Sequence, residues 1–351
     1  MGWNKPAAKQ AKESPALFLS IIIPFRNEEK NLPVLIESLR KLDYPTEKFE
    51  VILMDDHSTD NSLSVIAQFI TNHSNFKVIS SHLNGKKNAI AFGVEVSKGE
   101  IIVTTDADCE LPAEWLRLIN NQFQNQSINM VVGAVRIKTD VSFFSKLQAV
   151  EFSSLIGSAA STLALGFATM CNGANLSYRK NVFVEVNGFE GNTHIPSGDD
   201  EFLMRKVVNK FGVKSLRFLN DSNAIVDTSP QVSLHQFFNQ RIRWAAKWQY
   251  NSSWITKLLA VFILLFQVSW LVATGFLFFQ PWNSTIIALL VVKMLMEGFF
   301  LFNISRFMRQ KFYWDAFWVL QIAYPLYVII VGLVSNFISV SWKDSAIPAN
   351  N

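Results

Sequence analysis

Hydrophobic and polar residues follow two different patterns along the 351-residue chain. Up to about residue 251, short apolar runs alternate with charged segments, as in an α/β domain. Beyond Trp254, three stretches are almost free of charge: Leu258 to Phe279, Ile286 to Phe302 and Phe317 to Val340. A helix needs roughly 20 apolar residues to cross a bilayer. The pattern therefore predicts an α/β domain followed by three transmembrane helices.

The alternative for these three stretches is a helical core inside a large soluble protein. Too little polar sequence surrounds them to cover such a core, which favours the membrane. Trp254, Trp282, Tyr313 and Trp314 lie near their ends, where an aromatic belt is expected. The third stretch contains Pro325, which could break it into a hairpin.

Short loops between the apolar stretches predict the orientation of the chain. Residues 306–311 (RFMRQK) carry three positive charges, whereas residues 280–284 (QPWNS) carry none. Because positively charged loops stay in the cytoplasm, we expect the basic loop and the α/β domain to be cytoplasmic. The chain begins with polar residues and no apolar run, so we expect no secretory signal. These features predict an integral protein of a membrane such as the bacterial inner membrane.

Two charged residues, Lys293 and Glu297, lie inside the second apolar stretch, one helical turn apart. Charged side chains are costly in lipid. We expect them to pair with each other or with a neighbouring helix, and contact with a lipid headgroup is the alternative.

The α/β part alternates predicted strands with predicted helices. The strands are expected at residues 17–25, 49–56 and 76–81 and at the run that begins at Ile101; the helices are expected at residues 28–42, after His57, and from Lys86 to Ser97. Ser58 or Asp60 could cap the second helix. Such alternation implies a mostly parallel sheet, whose ligands lie beyond the carboxyl ends of the strands.

Four aspartates lie at the carboxyl ends of two of these strands: Asp55, Asp56, Asp106 and Asp108. Side chains i and i+2 of a strand point to the same side, so Asp106 and Asp108 could face one hard cation. Two surface aspartates in a turn are the commoner explanation of an isolated D-x-D. With the metal, the pair would hold a diphosphate.

The chain contains neither G-x-G-x-x-G after the first strand nor G-x-x-x-x-G-K-S/T. A nucleotide would therefore be held in another way. Asp56 could accept a hydrogen bond from a base imide or a ribose hydroxyl, although helix capping is the alternative. Lys86 could pair with a phosphate, although a lysine at a helix start is ordinarily solvated.

Asp199 and Asp200 stand at the start of a predicted helix in SGDDEFLMRKV. Carboxylates there are stabilised by the helix dipole and often only cap the helix. The functional alternative is a general base that takes the proton of an acceptor hydroxyl. Asp200 is our candidate for that role.

A further predicted helix, LHQFFNQRIRWAAKW, places Gln240, Arg243 and Trp244 on one face at spacing i, i+3 and i+4. Arginine suits a departing diphosphate, and tryptophan offers a flat surface for a sugar ring. The alternative is an amphipathic helix on the membrane surface, and both descriptions can hold together.

The formal net charge of +4 is modest, and basic residues such as Arg241 and Lys247 gather before the first apolar stretch. This suits membrane lipids better than nucleic acid, because it forms no extended basic stripe. The two cysteines and five histidines have no metal-ligand spacing.

Seven motifs occur in one order along the chain: SIIIPFRNEEKNL, DDHSTD, GKKNAI, DAD, NGANLSYRKNVFVEVNGF, GDDEFL and QRIRW. This order resembles that of family 2 glycosyltransferases, over residues 17 to 250. The chain looks like a membrane-bound member. The resemblance implies an α/β nucleotide-sugar transferase domain of the GT-A fold with a mostly parallel sheet, followed by C-terminal transmembrane helices.

The resemblance implies roles for the donor-side residues. Asp56 matches an aspartate that contacts the nucleoside, and Lys86 a lysine close to the nucleotide. Asp106 and Asp108 match the metal and diphosphate motif, with Mg²⁺ or Mn²⁺ as cofactor. Ala91 stands where relatives often have asparagine.

The resemblance also implies roles on the acceptor side. Asp200 matches the catalytic base, with Asp199 in place of the usual glutamate. Gln240, Arg243 and Trp244 match Q-x-x-R-W, which in similar enzymes borders the diphosphate and the acceptor entrance. The final SWKDSAIP resembles a W-K-x-R ending expected in the cytosol, whereas three spans would place it outside.

The sequence therefore predicts an inverting hexosyltransferase that uses a nucleotide diphosphate sugar. We favour a lipid or lipid-linked acceptor. A processive β-polysaccharide synthase is the alternative, because Q-x-x-R-W is typical of such enzymes. A hypothesis from another functional class is a non-catalytic membrane module that only senses nucleotide sugars.

The predicted domains follow from these patterns. They are a polar tail at residues 1–16, a GT-A domain at 17–230, an interfacial helix at 231–253, three transmembrane helices at 254–341 and a C-terminal tail at 342–351.

Overall fold

The apolar runs of the α/β part form strands in a computed structural model, which describes residues 14–71, 73–193, 195, 197–250, 253–335 and 337. The chain divides into two units. The first unit comprises residues 158–229 and the chain up to Arg136, and the second unit comprises residues 137–157 and the chain from Pro230 onward.

The first unit contains a seven-stranded sheet and a small three-stranded sheet. In chain order the strands are β1 (Leu19–Phe25), β2 (Phe49–Asp55), β3 (Phe76–Ser80), β4 (Ile101–Thr104), β5 (Cys109–Glu110), β6 (Met130–Gly133), β7 (Val135–Ile137), β8 (Leu176–Arg179), β9 (Leu216–Leu219) and β10 (Val226–Thr228). The large sheet has the order β3-β2-β1-β4-β8-β6-β9, and the small sheet has the order β5-β10-β7.

Eleven α-helices occur among the described residues. They are α1 (Leu32–Arg40), α2 (Ser62–Ile70), α3 (Lys86–Val96), α4 (Trp115–Phe123), α5 (Phe143–Ala164), α6 (Lys180–Glu185), α7 (Asp199–Phe211), α8 (Leu234–Ala245), α9 (Trp254–Phe276), α10 (Ser284–Phe307) and α11 (Trp314–Val334). The four strands and three helices predicted from residues 17 to 104 are all present.

The mostly parallel sheet is confirmed. Strand β1 pairs in parallel with β2 and β4, with Phe25 opposite Asp55 and Ile22 opposite Thr104. This register brings the carboxyl ends of β2 and β4 to the same edge of the sheet. Only β8 among the paired strands of the large sheet runs against its neighbours, β4 and β6.

Helix α1 shows why this part of the sequence folds against the sheet. Its apolar residues Leu32, Leu35, Ile36 and Leu39 are at most 1% exposed, as their 3.6-residue spacing predicts. Burying each such side chain contributes about 1.5–3 kcal/mol.

The predicted cap of α2 is wrong in detail. The helix begins at Ser62, and its N-cap residue is Asn61. The Ser58 hydroxyl instead accepts the N–H of Asn27, while Asp60 accepts the N–H groups of Ser62 and Glu29. The loop before α2 therefore uses these side chains to hold the loop after β1.

The second unit contains the three long apolar helices α9, α10 and α11. Each is long and apolar enough to cross a membrane, by length and composition. Ser253 and Asn283 cap α9 and α10 by accepting the N–H groups of Thr256 and Ile286. The predicted boundaries at residues 230, 253 and 341 stay predictions. Residues 137–157 group with these helices and not with the sheet.

Pro325 does not turn the third apolar stretch into a hairpin. Helix α11 runs through it without a break from Trp314 to Val334. Proline has no N–H, so the carbonyl of Gln321 one turn earlier lacks its helical donor. The indole N–H of Trp270 in α9 donates to that carbonyl at 2.9 Å. A bond between helices thus replaces the one within α11.

The predicted pairing of Lys293 with Glu297 is confirmed, at 2.8 Å. Lys293 also donates to the side-chain oxygen of Gln321 at 2.8 Å, and the Gln321 amide donates to Glu297 at 3.2 Å. A polar cluster therefore joins α10 to α11. The C-terminal SWKDSAIP and the tail residues 1–13 and 342–351 lie outside the described residues.

Candidate active site

Asp56 follows β2 at the edge where the parallel strands end. Its side chain is fully buried, and Oδ1 accepts the N–H of Gly85 at 2.8 Å. Gly85 has φ +105°, a conformation that favours glycine, and it immediately precedes α3. Among the described residues, Asp56 Oδ2 has no hydrogen-bond partner. A buried carboxylate oxygen of this kind is ready to accept an N–H or O–H from a ligand.

Lys86 is the first residue of α3. Its Nζ lies 2.8 Å from Asp106 Oδ1 and 3.1 Å from Asp199 Oδ2. Burial by itself lowers the pKa of Lys86, but the charges of Asp106 and Asp199 outweigh it and raise the pKa above its ordinary value. The side chain therefore stays an ammonium ion between two carboxylates.

Asp106 and Asp108 follow β4, but they lie in the turn between β4 and β5 and not in the strand, so the same-side spacing expected of a strand does not apply to them. The Thr228 hydroxyl in β10 donates to Asp108 Oδ2 at 3.2 Å. Burial, and then the charges of Asp106 and Glu28, raise the pKa of Asp108 to about 6. Negative charge therefore accumulates around this pair.

Asp199 and Asp200 begin α7, where Gly198 before them has φ +85°. Asp200 Oδ2 accepts the N–H of Gly173 at 3.1 Å, and Oδ1 accepts the N–H of Glu201 at 2.6 Å. Both oxygens are thereby oriented by the backbone.

Gly173 allows the close approach of this segment to the aspartates. A Cβ placed there would lie 3.0 Å from Asp199 Oδ2 and 3.7 Å from Lys86 Nζ. The Thr104 hydroxyl at the end of β4 donates to the Gly173 carbonyl at 2.8 Å. The segment is therefore held against the end of the sheet.

These contacts join Asp56, Lys86, Asp106, Asp199 and Asp200 in one continuous network within the first unit. Asp56 binds Gly85, the residue before Lys86, while Asp200 follows Asp199 in the chain and its charge acts on Lys86. Asp108 lies two residues from Asp106, and the negative charge of Asp106 contributes to the raised pKa of Asp108.

Sequence reasoning missed Gly85, Gly173 and Thr228. The two glycines lie in the motifs NGKK and NGAN, so a signal was available, whereas nothing in the sequence points to Thr228.

The donor atoms of Asp106 and Asp108 suit a hard divalent cation. Carboxylates are typical ligands of Mg²⁺ and Mn²⁺, and excess negative charge favours such an ion. The described part of the chain holds no group of three or more His, Cys, Asp and Glu side chains that could hold a metal ion. A cation at this pair would take its other ligands from water or from a diphosphate.

Gln240, Arg243 and Trp244 lie in the second unit, on α8. The predicted helix is present. Arg241, which the sequence indicated only as a basic residue before the first apolar stretch, contacts two of the three side chains. Arg241 is 3% exposed and donates to the side-chain oxygen of Gln240, and its guanidinium lies 4.3 Å from the centre of the Trp244 ring. Arg243 is half-buried. The roles predicted for these three residues stay predictions.

The family model described as Glycosyl transferase family 2 matches residues 20–186. The matched segment includes Asp56, Lys86, Asp106, Asp108 and Gly173.

Two curated relatives match beyond that segment. Beta-monoglucosyldiacylglycerol synthase of Nostoc sp. is 27% identical over 236 residues, which are 65% of this chain and 48% of that protein. Poly-beta-1,6-N-acetyl-D-glucosamine synthase of Staphylococcus epidermidis is 24% identical over 258 residues, 71% of this chain and 60% of that protein. The chain thus spans about half to three fifths of the length of these relatives.

Among solved structures, a mannosyltransferase from Pyrobaculum calidifontis in complex with GDP-Man and Mn²⁺ has a TM-score of 0.59 at 17% identity. The likeness covers 94% of this chain and 91% of that one. It shows the fold: a GT-A-like α/β domain with a mostly parallel sheet, followed by apolar helices.

Proposed function

Because residues 20–186 match the model of glycosyl transferase family 2, we propose that the protein transfers a sugar from a nucleotide diphosphate sugar to a lipid or lipid-linked acceptor. The observation that carries the proposal is the network of Asp56, Lys86, Asp106, Asp199 and Asp200. It supplies groups for the nucleoside, the diphosphate and the acceptor hydroxyl within one unit.

On the donor side, the buried Asp56 Oδ2 accepts a hydrogen bond from the nucleoside. Lys86 places a positive charge beside the diphosphate. Asp106 and Asp108 would hold Mg²⁺ or Mn²⁺, which when bound offsets negative charge on the leaving diphosphate. For Gln240, Arg243 and Trp244 we keep the roles that the sequence predicts at the diphosphate and at the acceptor.

On the acceptor side, Asp200 takes the proton of an acceptor hydroxyl as its oxygen attacks the anomeric carbon. The bond from that carbon to the diphosphate oxygen breaks, and the nucleoside diphosphate leaves with the bonding electrons. A single displacement inverts the configuration, so an α-linked donor yields a β-linked product. The two backbone N–H groups that bind Asp200 fix its oxygens for this transfer.

A lipid acceptor and a membrane location support each other. The three apolar helices suit an integral membrane protein, and one relative is named for glucosyldiacylglycerol synthesis. The basic loop of residues 306–311 supports a cytoplasmic α/β domain. A polymerising synthase is the second candidate, because another relative is named as a polysaccharide synthase.

The test offers the purified full-length protein, in detergent, a panel of UDP- and GDP-sugars with MgCl₂ or MnCl₂. The acceptors are dioleoylglycerol and undecaprenyl phosphate. Released nucleoside diphosphate, the mass of the lipid product and its anomeric configuration are measured. One β-linked sugar per lipid is expected. A long polymer would favour the second candidate, and the absence of both transfer and donor hydrolysis across the panel would overturn the proposal.

A further inference from the structure

A buried ion pair lies beside the Q-x-x-R-W residues in the second unit. Arg241 of α8 binds Glu151 of α5 in a two-pronged contact, with Nε to Oε1 at 3.0 Å and Nη2 to Oε2 at 2.7 Å. Arg241 is 3% exposed and Glu151 is 5% exposed. Both charges are therefore almost wholly removed from solvent.

The guanidinium also contacts two of the motif side chains. Its Nη1 donates to the side-chain oxygen of Gln240, and its face lies 4.3 Å from the centre of the Trp244 ring. Phe237 lies on it as well, at 4.7 Å. Because the guanidinium is planar and rigid, fixing it on Glu151 fixes the amide and the indole at once.

The pair is anchored from a third helix. The Tyr327 hydroxyl of α11 donates to Glu151 Oε1 at 3.3 Å, and the Tyr327 ring packs against Phe237 and Phe238. Three helices, α5, α8 and α11, thus converge on one carboxylate.

Stability alone is a weak reason for such a pair. Removing two charges from water costs several kcal/mol per ion, and replacing a buried pair by apolar residues of similar size is often neutral or stabilising. The hydrogen bond to Gln240 and the contact with Trp244 offer another reason: the ion pair orients these two side chains.

We propose that Arg241 is a positioning residue, held by Glu151, that sets the side chains of Gln240 and Trp244 for acceptor transfer. This rests on the proposed function. Arg241 acts through its neighbours and touches neither donor nor acceptor. Glu151, some 90 residues earlier in the chain, thereby becomes part of the structural unit formed by the Q-x-x-R-W motif.

The first variant is Arg241→Lys. Lysine keeps the positive charge opposite Glu151. Its single ammonium group cannot form the bidentate contact with the carboxylate and also donate to Gln240. With the donor and lipid that give transfer in the panel above, we expect transfer to fall by roughly 10- to 100-fold. Hydrolysis of the donor without acceptor should fall less than transfer does, because Lys86, Asp106 and Asp108 are unchanged.

The second variant is the double replacement Glu151→Met with Arg241→Met. It removes both charges together, so no unpaired charge is buried and the fold is expected to persist. A purely structural pair would leave transfer intact in this variant, whereas a positioning pair predicts the same loss as in Arg241→Lys.

Arg179→Lys is the matched control. Arg179 is also a buried arginine, it donates to the carbonyls of Ile128 and Phe123, and it lies over the Phe123 ring in the first unit. Transfer should survive this change.

Transfer at the wild-type rate by either Arg241 variant would overturn the inference and leave the proposed function standing. No transfer by the wild type would instead overturn the proposed function.

Discussion

Lys86 Nζ lies 2.8 Å from Asp106 Oδ1, so the start of α3 is joined by an ion pair to the segment that follows β4. The same ammonium lies 3.1 Å from Asp199. The side chain therefore stands between the carboxylate proposed for the metal and the neighbour of the proposed base.

The first prediction concerns Lys86→Met. The variant loses a charge-assisted contact to the diphosphate, worth about 1.5–3 kcal/mol, and affinity should fall by about tenfold or more. Titration calorimetry with UDP and GDP in MnCl₂ measures this. Lys77→Met is the control, because Lys77 pairs with Glu50 and not with the network. Unchanged affinity would contradict the role of Lys86.

The second prediction concerns Asp200→Asn. An amide is a poor base, so kcat should fall by about 10²- to 10⁴-fold. Nucleotide affinity should persist, because Asp56 and Lys86 are unchanged. Asp221→Asn is the control, since the Asp221 side chain accepts the N–H of Asn223 in a loop and is not one of the network residues. Turnover by Asp200→Asn at the wild-type rate would refute the assignment of the base.

The third prediction concerns Gly173→Ala. The added methyl would press on Asp199 Oδ2 at 3.0 Å and displace the carboxylate that pairs with Lys86. We expect lower kcat with a nearly unchanged thermal midpoint. Gly275→Ala is the matched control, because among the described residues no atom outside its own stretch of helix lies within 4 Å of its Cβ position. Equal kcat values for the two variants would contradict the close approach at Gly173.

The fourth prediction concerns pH and Glu50 in β2. Burial raises the pKa of Glu50, but hydrogen bonds from Lys77, the Lys98 N–H and Ser20 outweigh it and lower the pKa below its ordinary value of 4.5. A lowered folded-state pKa stabilises the protein above pH 4.5, and this contribution is lost as the pH falls through the folded value.

Thermal midpoints between acid and neutral pH measure the effect. Glu50→Gln should lower the midpoint at neutral pH and reduce its decline in acid. Glu114→Gln is the control, because Glu114 forms a pair with Arg117 at the surface of the protein. If Glu50→Gln and the wild type lose stability in parallel as the pH falls, the attribution to Glu50 is wrong.

The residues at the carboxyl edge of the sheet could be predicted because the sequence patterns that mark them are local. The apolar runs of β1, β2 and β4 end in polar residues, and parallel pairing brings those ends together. Asp56, Lys86, Asp106 and Asp199 could therefore be chosen without coordinates.

Other features depend on distant parts of the chain and have no local signal. Thr228 reaches Asp108 only because β10 pairs with β5. Asn175, inside the NGAN motif, binds the carbonyls of Ala134 and Ala224, so part of that motif serves packing. Arg241 looked like a basic residue at the membrane surface because its partner Glu151 lies on another helix.

Because Pro325 has no N–H, helix α11 has a free carbonyl that helix α9 can bind. The carbonyl of Gln321 that it leaves open is taken by the indole of Trp270, so a break in the hydrogen bonding of one helix becomes a point of recognition for another. Alanine at this position would make α11 more self-sufficient and weaken its attachment to α9. Proline usually interrupts a helix, whereas Pro325 here strengthens the contact between α11 and α9.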